Sequence, residues 1–457
     1  MAPTYRARII KIEKGCRAYM NRSYMRIEQS LPLQGTVCLT GAKNAVLVII
    51  ASLILTRGKS ILKNVPASDD VFTMIHLLES LGAQTFFDQE NHLLEVDTTQ
   101  LYTWIVSPAI MKKMRASILV MGPLLARFGK AEVALPGGCV LGARPIDYHL
   151  KALKKMGVVF EAHDEYLTAY ASLLHPARIV LEYPSVGATE NIIMAAVLMS
   201  GSTEIINAAL EPEVLDLIAV LRKMGARIEV MAPASIIITG VASLEPIEHE
   251  IIVDRLEAGA LLLAAAITKG SITITNAAPD SMDVFLMKLE EMGHEIIVAG
   301  SQITLRACLE PRAISFKTAP YPGFPTDLQA PLMAAQCVAQ GTSIIEETVF
   351  ENRLLHVREL QKMGAHIKLE HNKAIIQGVD ALYGTAVIAT DIRASCALVL
   401  AGLIANGITT MTGLHHWTRG YDGLEKKLSQ LGARLSIASS PAQSFLADTA
   451  LIQEQRP

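Results

Sequence analysis

Six amphipathic stretches of the chain end in the same way. In each, apolar residues recur at helical spacing and the stretch stops at a glycine. The endings are LESLGA (78–83), LKKMGV (153–158), LRKMGA (221–226), LEEMGH (289–294), LQKMGA (360–365) and LSQLGA (428–433). Successive glycines lie about 70 residues apart, which indicates one structural unit copied six times. Each copy is predicted to hold an amphipathic helix stopped by a glycine in the left-handed conformation, followed by a strand.

Six further segments have almost no polar face after their first turn. They are AKNAVLVIIASLILTRG (42–58), RASILVMGPLLARFG (115–129), ATENIIMAAVLMSG (188–201), RLEAGALLLAAAITKG (255–270), DLQAPLMAAQCVAQG (327–341) and RASCALVLAGLIANG (393–407). A helix that is apolar all round must be buried on all sides. Alternating runs such as SITIT (271–275) predict strands around them. We therefore expect an α/β fold with the apolar helices inside the strands.

Composition helps to decide whether the chain spans a membrane, binds nucleic acid or holds disulfides. The chain is 51% hydrophobic with a mean hydropathy of +0.34, yet its longest apolar stretches, Ala45–Leu55 and Ala258–Ile267, are well short of the ~20 residues of a membrane span. These lengths favour buried helices of a soluble enzyme. A net charge of −3 gives no indication of a nucleic-acid surface. The six cysteines show no paired or metal-ligand spacing, which favours a reducing cytoplasm.

Six units divide naturally into two lobes of three, although length alone would suggest about three domains. Residues 1–24 precede the repeats and carry mostly basic charge. We expect them to form a poorly ordered extension, or to precede a true start at Met25, rather than a functional arm. Residues 441–457 are expected to form a C-terminal tail.

Polar residues cluster where the apolar helices begin. They are Lys43 and Asn44, Arg115, Ser185 with Thr189 and Glu190, Asp254 with Arg255 and Glu257, Asp327, and Asp391 with Arg393. If two lobes face each other, six helix N-termini point at one cleft, and each is a natural anion site. The acidic and hydroxyl residues are equally explained as helix caps. A cation at a helix N-terminus opposes the helix dipole, so Lys43, Arg115, Arg255 and Arg393 are predicted to contact an anionic ligand.

Cys139 lies in the Gly-rich segment LPGGCVLGARPID (135–147). Glycines let such a segment turn tightly and move as a lid. A lone cysteine is more often an inert core residue, but a Gly-Gly loop is not a core position. We expect a reachable thiol that Arg144 activates.

Ten segments in order resemble one known family. They are TGAKNA (40–45), MRAS (114–117), LPGGCVLGARPID, PSVGATENI (184–192), EPE (211–213), DRLEAG (254–259), FPTDLQA (324–330), VFENRLLHV (349–357), TDIRAS (390–395) and RGY (419–421). Together they resemble the UDP-N-acetylglucosamine 1-carboxyvinyltransferases of the enolpyruvyl transferase family. The resemblance covers roughly residues 25–437.

The resemblance implies a two-domain inside-out α/β barrel with three repeats in each domain. One domain would span 45–252 and carry the catalytic loop; the other would combine 25–44 with 253–440. The implied reaction moves the enolpyruvyl group of phosphoenolpyruvate to the 3-hydroxyl of UDP-N-acetylglucosamine and releases phosphate, through a tetrahedral intermediate. It begins bacterial peptidoglycan synthesis and requires no metal or cofactor.

Residue roles are implied by the same motifs. Lys43, Arg144 and Arg419, with Arg393 nearby, resemble the cations that bind phosphoenolpyruvate. Asp327 resembles the general base, and Cys139 the general acid, which epoxide antibiotics of the fosfomycin type would alkylate. The nucleotide-sugar contacts would be Asn44, Arg115, Arg144, Pro145, Ile146, Asp147, Tyr148, Tyr183, Pro184, Ser185, Val186 and Val349. The supporting residues would be Glu211, Asp254, Glu351, Arg353 and Asp391; for the first four of these, an inter-domain ion-pair network is an equal alternative.

Two other functions stay open. A 5-enolpyruvylshikimate-3-phosphate synthase shares the fold and donor, but the PGGC loop argues against it. A non-catalytic homologue that binds UDP-sugars would not need Lys43, Cys139, Asp327 and Arg393. One departure is Thr418, which stands where the family usually has an acidic residue before the arginine, and which removes a charge able to orient Arg419.

Overall fold

The computed structural model describes residues 23–111, 113–134, 146–164 and 166–439, with only the backbone of Arg115. The predictions for Cys139, Arg144 and Pro145 lie outside these residues, as do those for both chain ends beyond 23 and 439. The described residues fall into two compact units. Unit A holds Thr40–Arg255 together with Pro320–Gly323, and unit B holds the described residues up to Leu39, Leu256–Ala319 and those from Phe324 onward.

Short strands recur along the described residues, most of them five residues long. They are β1 Ser23–Glu28, β2 Gln34–Cys38, β3 Lys59–Lys63, β4 Gln84–Asp88, β5 Leu93–Asp97, β6 Lys130–Ala134, β7 Val159–Ala162, β8 Tyr166–Tyr170, β9 Arg178–Val180, β10 Ser202–Ile206, β11 Arg227–Met231, β12 Ser235–Thr239, β13 Glu248–Glu250, β14 Ser271–Thr275, β15 Glu295–Ala299, β16 Gln302–Arg306, β17 Phe316–Lys317, β18 Thr342–Glu346, β19 His366–Glu370, β20 Lys373–Gln377, β21 Ala386–Ile388, β22 Ile408–Thr412 and β23 Arg434–Ser439.

Helices alternate with these strands. They are α1 Lys43–Ser52, α2 Asp69–Leu81, α3 Pro108–Met111, α4 Met121–Phe128, α5 Asp147–Lys155, α6 Val186–Ala196, α7 Pro212–Lys223, α8 Arg255–Ile267, α9 Asp283–Glu291, α10 Gln329–Gln336, α11 Val357–Lys362, α12 Ile392–Gly402, α13 His415–Gly420 and α14 Leu424–Gln430. Short 3-10 turns cover Leu53–Leu55, Arg115–Val120, Pro279–Ser281 and Thr326–Leu328. None of the helices in the described residues combines the length and apolarity needed to cross a bilayer.

Each repeat builds its own small sheet. Unit A has the strand orders β13-β3-β5-β4, β6-β8-β7 and β11-β12-β10-β9, and unit B has β15-β16-β14-β2, β17-β18-β20-β19 and β21-β22-β1-β23. In the four-stranded sheets one edge pair is parallel, as where Ser271 of β14 faces Gln34 of β2, and the rest are antiparallel. The same order in successive copies confirms the predicted repeat.

The sixth sheet takes its central strand from the start of the described chain. Met25 of β1 faces Met411 of β22 on one side and Ile437 of β23 on the other. In the other four-stranded sheets this position is filled by β5, β12, β16 or β20, each from its own copy. The beginning and end of the described chain are therefore joined within unit B.

The apolar helices form the core of each unit. In α1 every residue except Asn44 is buried, and α12 is buried from Arg393 to Gly402. Strands such as β12 and β20 alternate buried and partly exposed side chains, so one face of each sheet covers helices and the other faces solvent. The inside-out α/β prediction is confirmed; within the described residues the sheets stay separate and do not close into one continuous barrel.

The repeated glycines have the left-handed backbone that their position predicts. Gly82 has φ 110° and Gly225 has φ 109°. A Cβ on Gly225 would meet nothing within 4 Å, whereas one on Gly82 would lie 2.7 Å from the backbone oxygen of Gln100. Gly225→Ala is therefore expected to lower the free energy of unfolding only by the backbone strain, about 1–2 kcal/mol. Gly82→Ala should lower it by clearly more, because its Cβ also meets the backbone oxygen of Gln100. Urea unfolding of both variants measures this, and equal losses would contradict the role of the Gln100 contact.

Candidate active site

Lys43 opens helix α1 of unit A and is buried. Its Nζ lies 3.6 Å from Asp70 Oδ2. Its backbone N–H donates to Asp254 Oδ2 at 3.3 Å, while the N-cap residue Ala42 supplies no side-chain acceptor. Asp254 thus caps α1 from a distant part of the chain, and the structure brings this predicted supporting residue to the predicted cation.

A short backbone pairing holds Asp254 in place. The Asp254 N–H donates to the Thr40 carbonyl at 2.9 Å, and the Ala42 N–H donates to the Ile252 carbonyl at 2.7 Å. The segment TGAKNA is therefore clamped to the segment before α8. Asn44 follows Lys43 and is half-buried.

Asn191 and His149 bring the predicted nucleotide-sugar segments of unit A together. Asn191 Nδ2 donates to the carbonyl of Ile118, in the 3-10 turn that begins at Arg115, at 3.0 Å. It also lies 2.9 Å from His149 Nδ1. Burial lowers the pKa of His149 to about 4, so a neutral imidazole accepts this bond.

The starts of α5 and α6 carry most of the remaining predicted contacts. Ile146, Asp147 and Tyr148 stand at the start of α5, immediately before His149, and are half-buried. Tyr183, Pro184, Ser185 and Val186 lead into α6, where Ser185 Oγ accepts from the Ala188 N–H at 3.4 Å. Neither Asn191 nor His149 has a role predicted from the sequence. The feature that could have indicated a role is Asn191 itself, a polar residue at the second turn of a mostly apolar helix.

A buried carboxylate cluster stands at the starts of α6, α7 and α8. Glu213 binds Arg255 through two hydrogen bonds, Nε to Oε1 at 3.0 Å and Nη2 to Oε2 at 3.1 Å. Within the described residues the anion beside Arg255 is a protein carboxylate, and contact of Arg255 with a ligand stays a prediction. Glu211 precedes α7, and burial raises its pKa. Glu190 is only 3% exposed.

The surroundings of Glu190 favour its neutral form. Burial, and then the neighbouring carboxylates Glu213 and Glu211, raise the pKa of Glu190 well above its ordinary value. Between pH about 5 and this raised pKa the folded chain keeps a proton that the unfolded chain has lost. Wild-type stability therefore falls by about 1.4 kcal/mol per pH unit in that window on account of Glu190.

Glu190→Gln is expected to remove this pH dependence. The variant should equal wild type near pH 4.5 and become progressively more stable than wild type as the pH rises toward the raised pKa of Glu190. Chemical denaturation of both proteins at a series of pH values measures the difference. A difference that is constant across pH, or that grows toward acid, would contradict a protonated Glu190.

Asp327 lies between two arginines in unit B. Arg353 Nη2 donates to Asp327 Oδ1 at 2.6 Å, and Arg393 Nη2 donates to Asp327 Oδ2 at 2.7 Å. The arginine side chains are 4% and 5% exposed, but the Asp327 side chain is 24% exposed. The two arginines therefore fix the orientation of the Asp327 carboxylate, which stays partly exposed to solvent.

The start of α12 is built around Arg393. Asp391 caps this helix by accepting from the N–H groups of Arg393 at 2.8 Å and Ala394 at 3.1 Å. Arg393 Nη1 donates to the Tyr421 hydroxyl at 3.2 Å. Asp391 therefore supports the cation that faces Asp327.

Arg419 lies on the short helix α13 and is half-buried. The next residue, Gly420, packs against α12, since a Cβ there would lie 2.2 Å from Ile392 Cγ2. This contact and the Tyr421–Arg393 bond bring the Arg419 backbone beside the start of α12. Thr418 donates through its hydroxyl to the His415 carbonyl at 3.4 Å.

Val349 is tied to the Asp327 region by Glu347, which the sequence analysis missed. The Val349 N–H donates to Glu347 Oε1 at 2.8 Å, and the hydroxyl of Thr326 donates to Glu347 Oε2 at 2.9 Å. Glu351, by contrast, is exposed and makes no ion pair with another described residue. Its predicted supporting role stays a prediction.

The groups of unit B suit proton transfer beside an anion. The partly exposed carboxylate of Asp327 can accept a proton, while Arg393 and Arg419 supply positive charge. The described residues contain no group of three or more His, Cys, Asp or Glu side chains suited to hold a metal ion.

Relatives of this chain are enolpyruvyl transferases. The family model of EPSP synthase (3-phosphoshikimate 1-carboxyvinyltransferase) matches residues 27–428. A UDP-N-acetylglucosamine 1-carboxyvinyltransferase 1 of Caldanaerobacter subterraneus is 47% identical over 90% of this chain and 98% of its own length. The UDP-N-acetylglucosamine 1-carboxyvinyltransferase of Geobacter metallireducens is 46% identical over 88% of this chain and 96% of its own.

Solved structures share the fold. The enolpyruvyl transferase NikO from Streptomyces tendae superposes with a TM-score of 0.84 at 24% identity, over 92% of this chain and 99% of that one. EPSP synthase from Acinetobacter baumannii superposes with a TM-score of 0.70 at 15% identity, over 91% and 100%. The chain therefore belongs to the EPSP synthase (3-phosphoshikimate 1-carboxyvinyltransferase) family of enolpyruvyl transferases, on the branch of the UDP-N-acetylglucosamine 1-carboxyvinyltransferases.

Proposed function

We propose that this chain transfers the enolpyruvyl group of phosphoenolpyruvate to the 3-hydroxyl of UDP-N-acetylglucosamine and releases inorganic phosphate, the first step of peptidoglycan precursor synthesis. The observation that carries the proposal is the 46–47% identity, over about 90% of the chain, to enzymes that bear this substrate in their names. The placement of Asp327 between Arg353 and Arg393 supports it.

The proposed addition step needs one base and one acid. Asp327 takes the proton of the sugar 3-hydroxyl, whose oxygen then attacks C2 of phosphoenolpyruvate. A proton from the Cys139 thiol goes to the methylene carbon, and the product is a tetrahedral phospholactoyl adduct. Elimination removes a proton from the new methyl group, breaks the C2–O bond to phosphate and restores the double bond. The reaction written in this way requires no oxidant, reductant or metal.

The proposed donor site is cationic. Phosphoenolpyruvate carries a phosphate and a carboxylate, and fixed guanidinium and ammonium groups are their natural partners. We assign Lys43, Arg144, Arg393 and Arg419 to this donor, as the family motifs imply. Asn44, Arg115, the segment 144–148, the segment 183–186 and Val349 are assigned to the nucleotide-sugar. Cell-wall formation, with its effects on cell shape and division, and action in the cytoplasm follow from this substrate.

Phosphate release is the direct test. The purified chain is incubated with phosphoenolpyruvate and UDP-N-acetylglucosamine, and in parallel with phosphoenolpyruvate and shikimate 3-phosphate. We expect phosphate and enolpyruvyl-UDP-N-acetylglucosamine in the first mixture only. Phosphate release only in the mixture with shikimate 3-phosphate would assign the chain to the other branch of the family. No phosphate release in either mixture would favour a non-catalytic homologue.

A further inference from the structure

A small closed loop, Ala319–Phe324, precedes Asp327 by three residues. The Ala319 N–H donates to the Phe324 carbonyl at 3.0 Å, and the Gly323 N–H donates to the Pro320 carbonyl at 2.8 Å. The four tip residues Pro320–Gly323 group with unit A, although the chain on both sides of them groups with unit B. No role for these tip residues is predicted from the sequence.

The tip is anchored through Tyr321. Its backbone N–H donates to Glu211 Oε1 at 3.4 Å. Its ring stacks on Arg255, whose guanidinium carbon lies 5.6 Å from the ring centroid. Arg255 is buried and fixed by the two hydrogen bonds that it donates to Glu213. A guanidinium held flat in this way is a rigid surface for an aromatic ring.

The base of the loop is held by one carboxylate. Glu347 is 2% exposed. Its Oε1 accepts from the Thr318 hydroxyl at 3.0 Å, and its Oε2 accepts from the Thr326 hydroxyl at 2.9 Å. The residue before the loop and the residue before Asp327 are therefore tied to the same side chain. Because a buried carboxylate needs such donors, the tie is a strong one.

These contacts leave the turn that carries Asp327 little freedom. Thr326, Asp327 and Leu328 form one 3-10 turn, so a fixed Thr326 fixes the backbone of Asp327. We infer that Tyr321 is a positioning residue for the reaction: its ring and N–H hold the loop tip, and through the loop they set where Asp327 presents its carboxylate. This inference rests on the proposed function, in which Asp327 accepts the proton of the sugar.

A matched set of tyrosine variants tests this role. Tyr321→Phe keeps the ring and the backbone N–H, so kcat should stay within about two-fold of wild type, because a ring without its hydroxyl still stacks on a cation. Tyr321→Ala removes the stack, and we expect kcat to fall about 10- to 100-fold, the loss that a misplacement of about 1 Å causes. KM for phosphoenolpyruvate and the melting temperature should change little. Tyr102→Ala, at a tyrosine that is 72% exposed, should match wild type.

Hydrogen exchange supplies a readout that needs no activity. The amides of Phe324 and of Thr326–Leu328 should exchange faster in Tyr321→Ala than in wild type, Tyr321→Phe or Tyr102→Ala. An unchanged kcat in an active Tyr321→Ala, or unchanged exchange at these amides, overturns the inference. Loss of kcat in step with a lower melting temperature also overturns it, since that is a purely structural effect. If the wild-type chain releases no phosphate, the proposed function fails, and the exchange data still decide whether Tyr321 fixes this turn.

Discussion

Asp327→Asn is expected to lower kcat by about two to four orders of magnitude while UDP-N-acetylglucosamine still binds. An amide cannot take a proton from the sugar hydroxyl. It keeps one oxygen that can accept from Arg353 or Arg393, so the side chain should stay in its place between them. Phosphate release gives the loss of turnover, and calorimetric titration with UDP-N-acetylglucosamine gives the binding.

The same substitution has a second consequence that must be separated from the first. Removing the carboxylate leaves two buried guanidinium groups without their counter-charge, and breaking a buried ion pair costs about 3–5 kcal/mol. Melting temperatures should therefore accompany the kinetics. Glu359→Gln is the control, because Glu359 is also an ion-paired carboxylate of unit B, 2.7 Å from Lys362, but has no role in the proposed reaction.

The control fixes how the result is interpreted. We expect Glu359→Gln to lose stability and keep kcat, and Asp327→Asn to lose kcat well beyond any fraction of unfolded protein. A turnover of Asp327→Asn within about ten-fold of wild type would remove Asp327 from the role of base, since loss of a general base costs about 10²-fold or more. Loss of nucleotide-sugar binding in parallel with turnover would assign Asp327 to binding alone.

The repeat architecture could be predicted because its signals are local. A glycine after an amphipathic helix, or a helix apolar on every side, is visible within about 15 residues. The place of β1 could not be predicted in this way. It pairs with β22 and β23 from the far end of the described chain, and strand pairing at that separation leaves no periodic trace in the sequence.

The candidate site likewise contains some residues that the sequence predicts and others that it does not. Lys43, Asp327 and Arg393 stand out in the sequence because they are polar residues at the starts of apolar helices. The partners that orient them are set by tertiary packing: Asp254 reaches the α1 start from 211 residues away, and Arg393 reaches Asp327 from 66 residues away. Glu347 lies at the end of an ordinary strand and carries no local signal of its four hydrogen bonds.

Arg255 shows a limit of this local signal. Its position at a helix start predicted an anionic ligand, because a cation there opposes the helix dipole. The structure supplies that negative charge from Glu213, which is buried with it. A local pattern can thus indicate that a charge must be compensated, but only the fold determines whether protein or ligand compensates it.

A fosfomycin-type epoxide is expected to alkylate Cys139 and no other cysteine. The sequence places Cys139 in a Gly-rich segment with Arg144 downstream. In the proposed function both act beside the phosphate of the donor, where a thiolate would be favoured. Burial raises the pKa of Cys337 to about 12 and that of Cys396 to about 11, so neither is a nucleophile at neutral pH. Burial also raises the pKa of Cys308. Exposed Cys38 is the internal comparison for simple accessibility.

Intact-protein mass spectrometry with UDP-N-acetylglucosamine present measures the adduct, and peptide mapping assigns it. Two substitutions separate the chemical roles of the thiol. Cys139→Ser should lower kcat by about 10²–10⁴-fold, because a hydroxyl is a far weaker acid than a thiol. Cys139→Asp should keep substantial turnover, since a carboxylic acid can donate the proton, yet it should not be alkylated. Cys139→Asp would then keep its turnover while losing its sensitivity to the epoxide.

Cys38→Ser distinguishes a specific reaction from mere exposure. Loss of the adduct in this variant, with Cys139 intact, would show that accessibility alone selects the thiol and would remove the argument for an activated Cys139. Full turnover of Cys139→Ser would contradict the acid role in a different way, because the proton for the methylene carbon would then come from another group. Only an adduct at Cys139, together with the loss in serine and retention in aspartate, supports a thiol that donates the proton in the addition step.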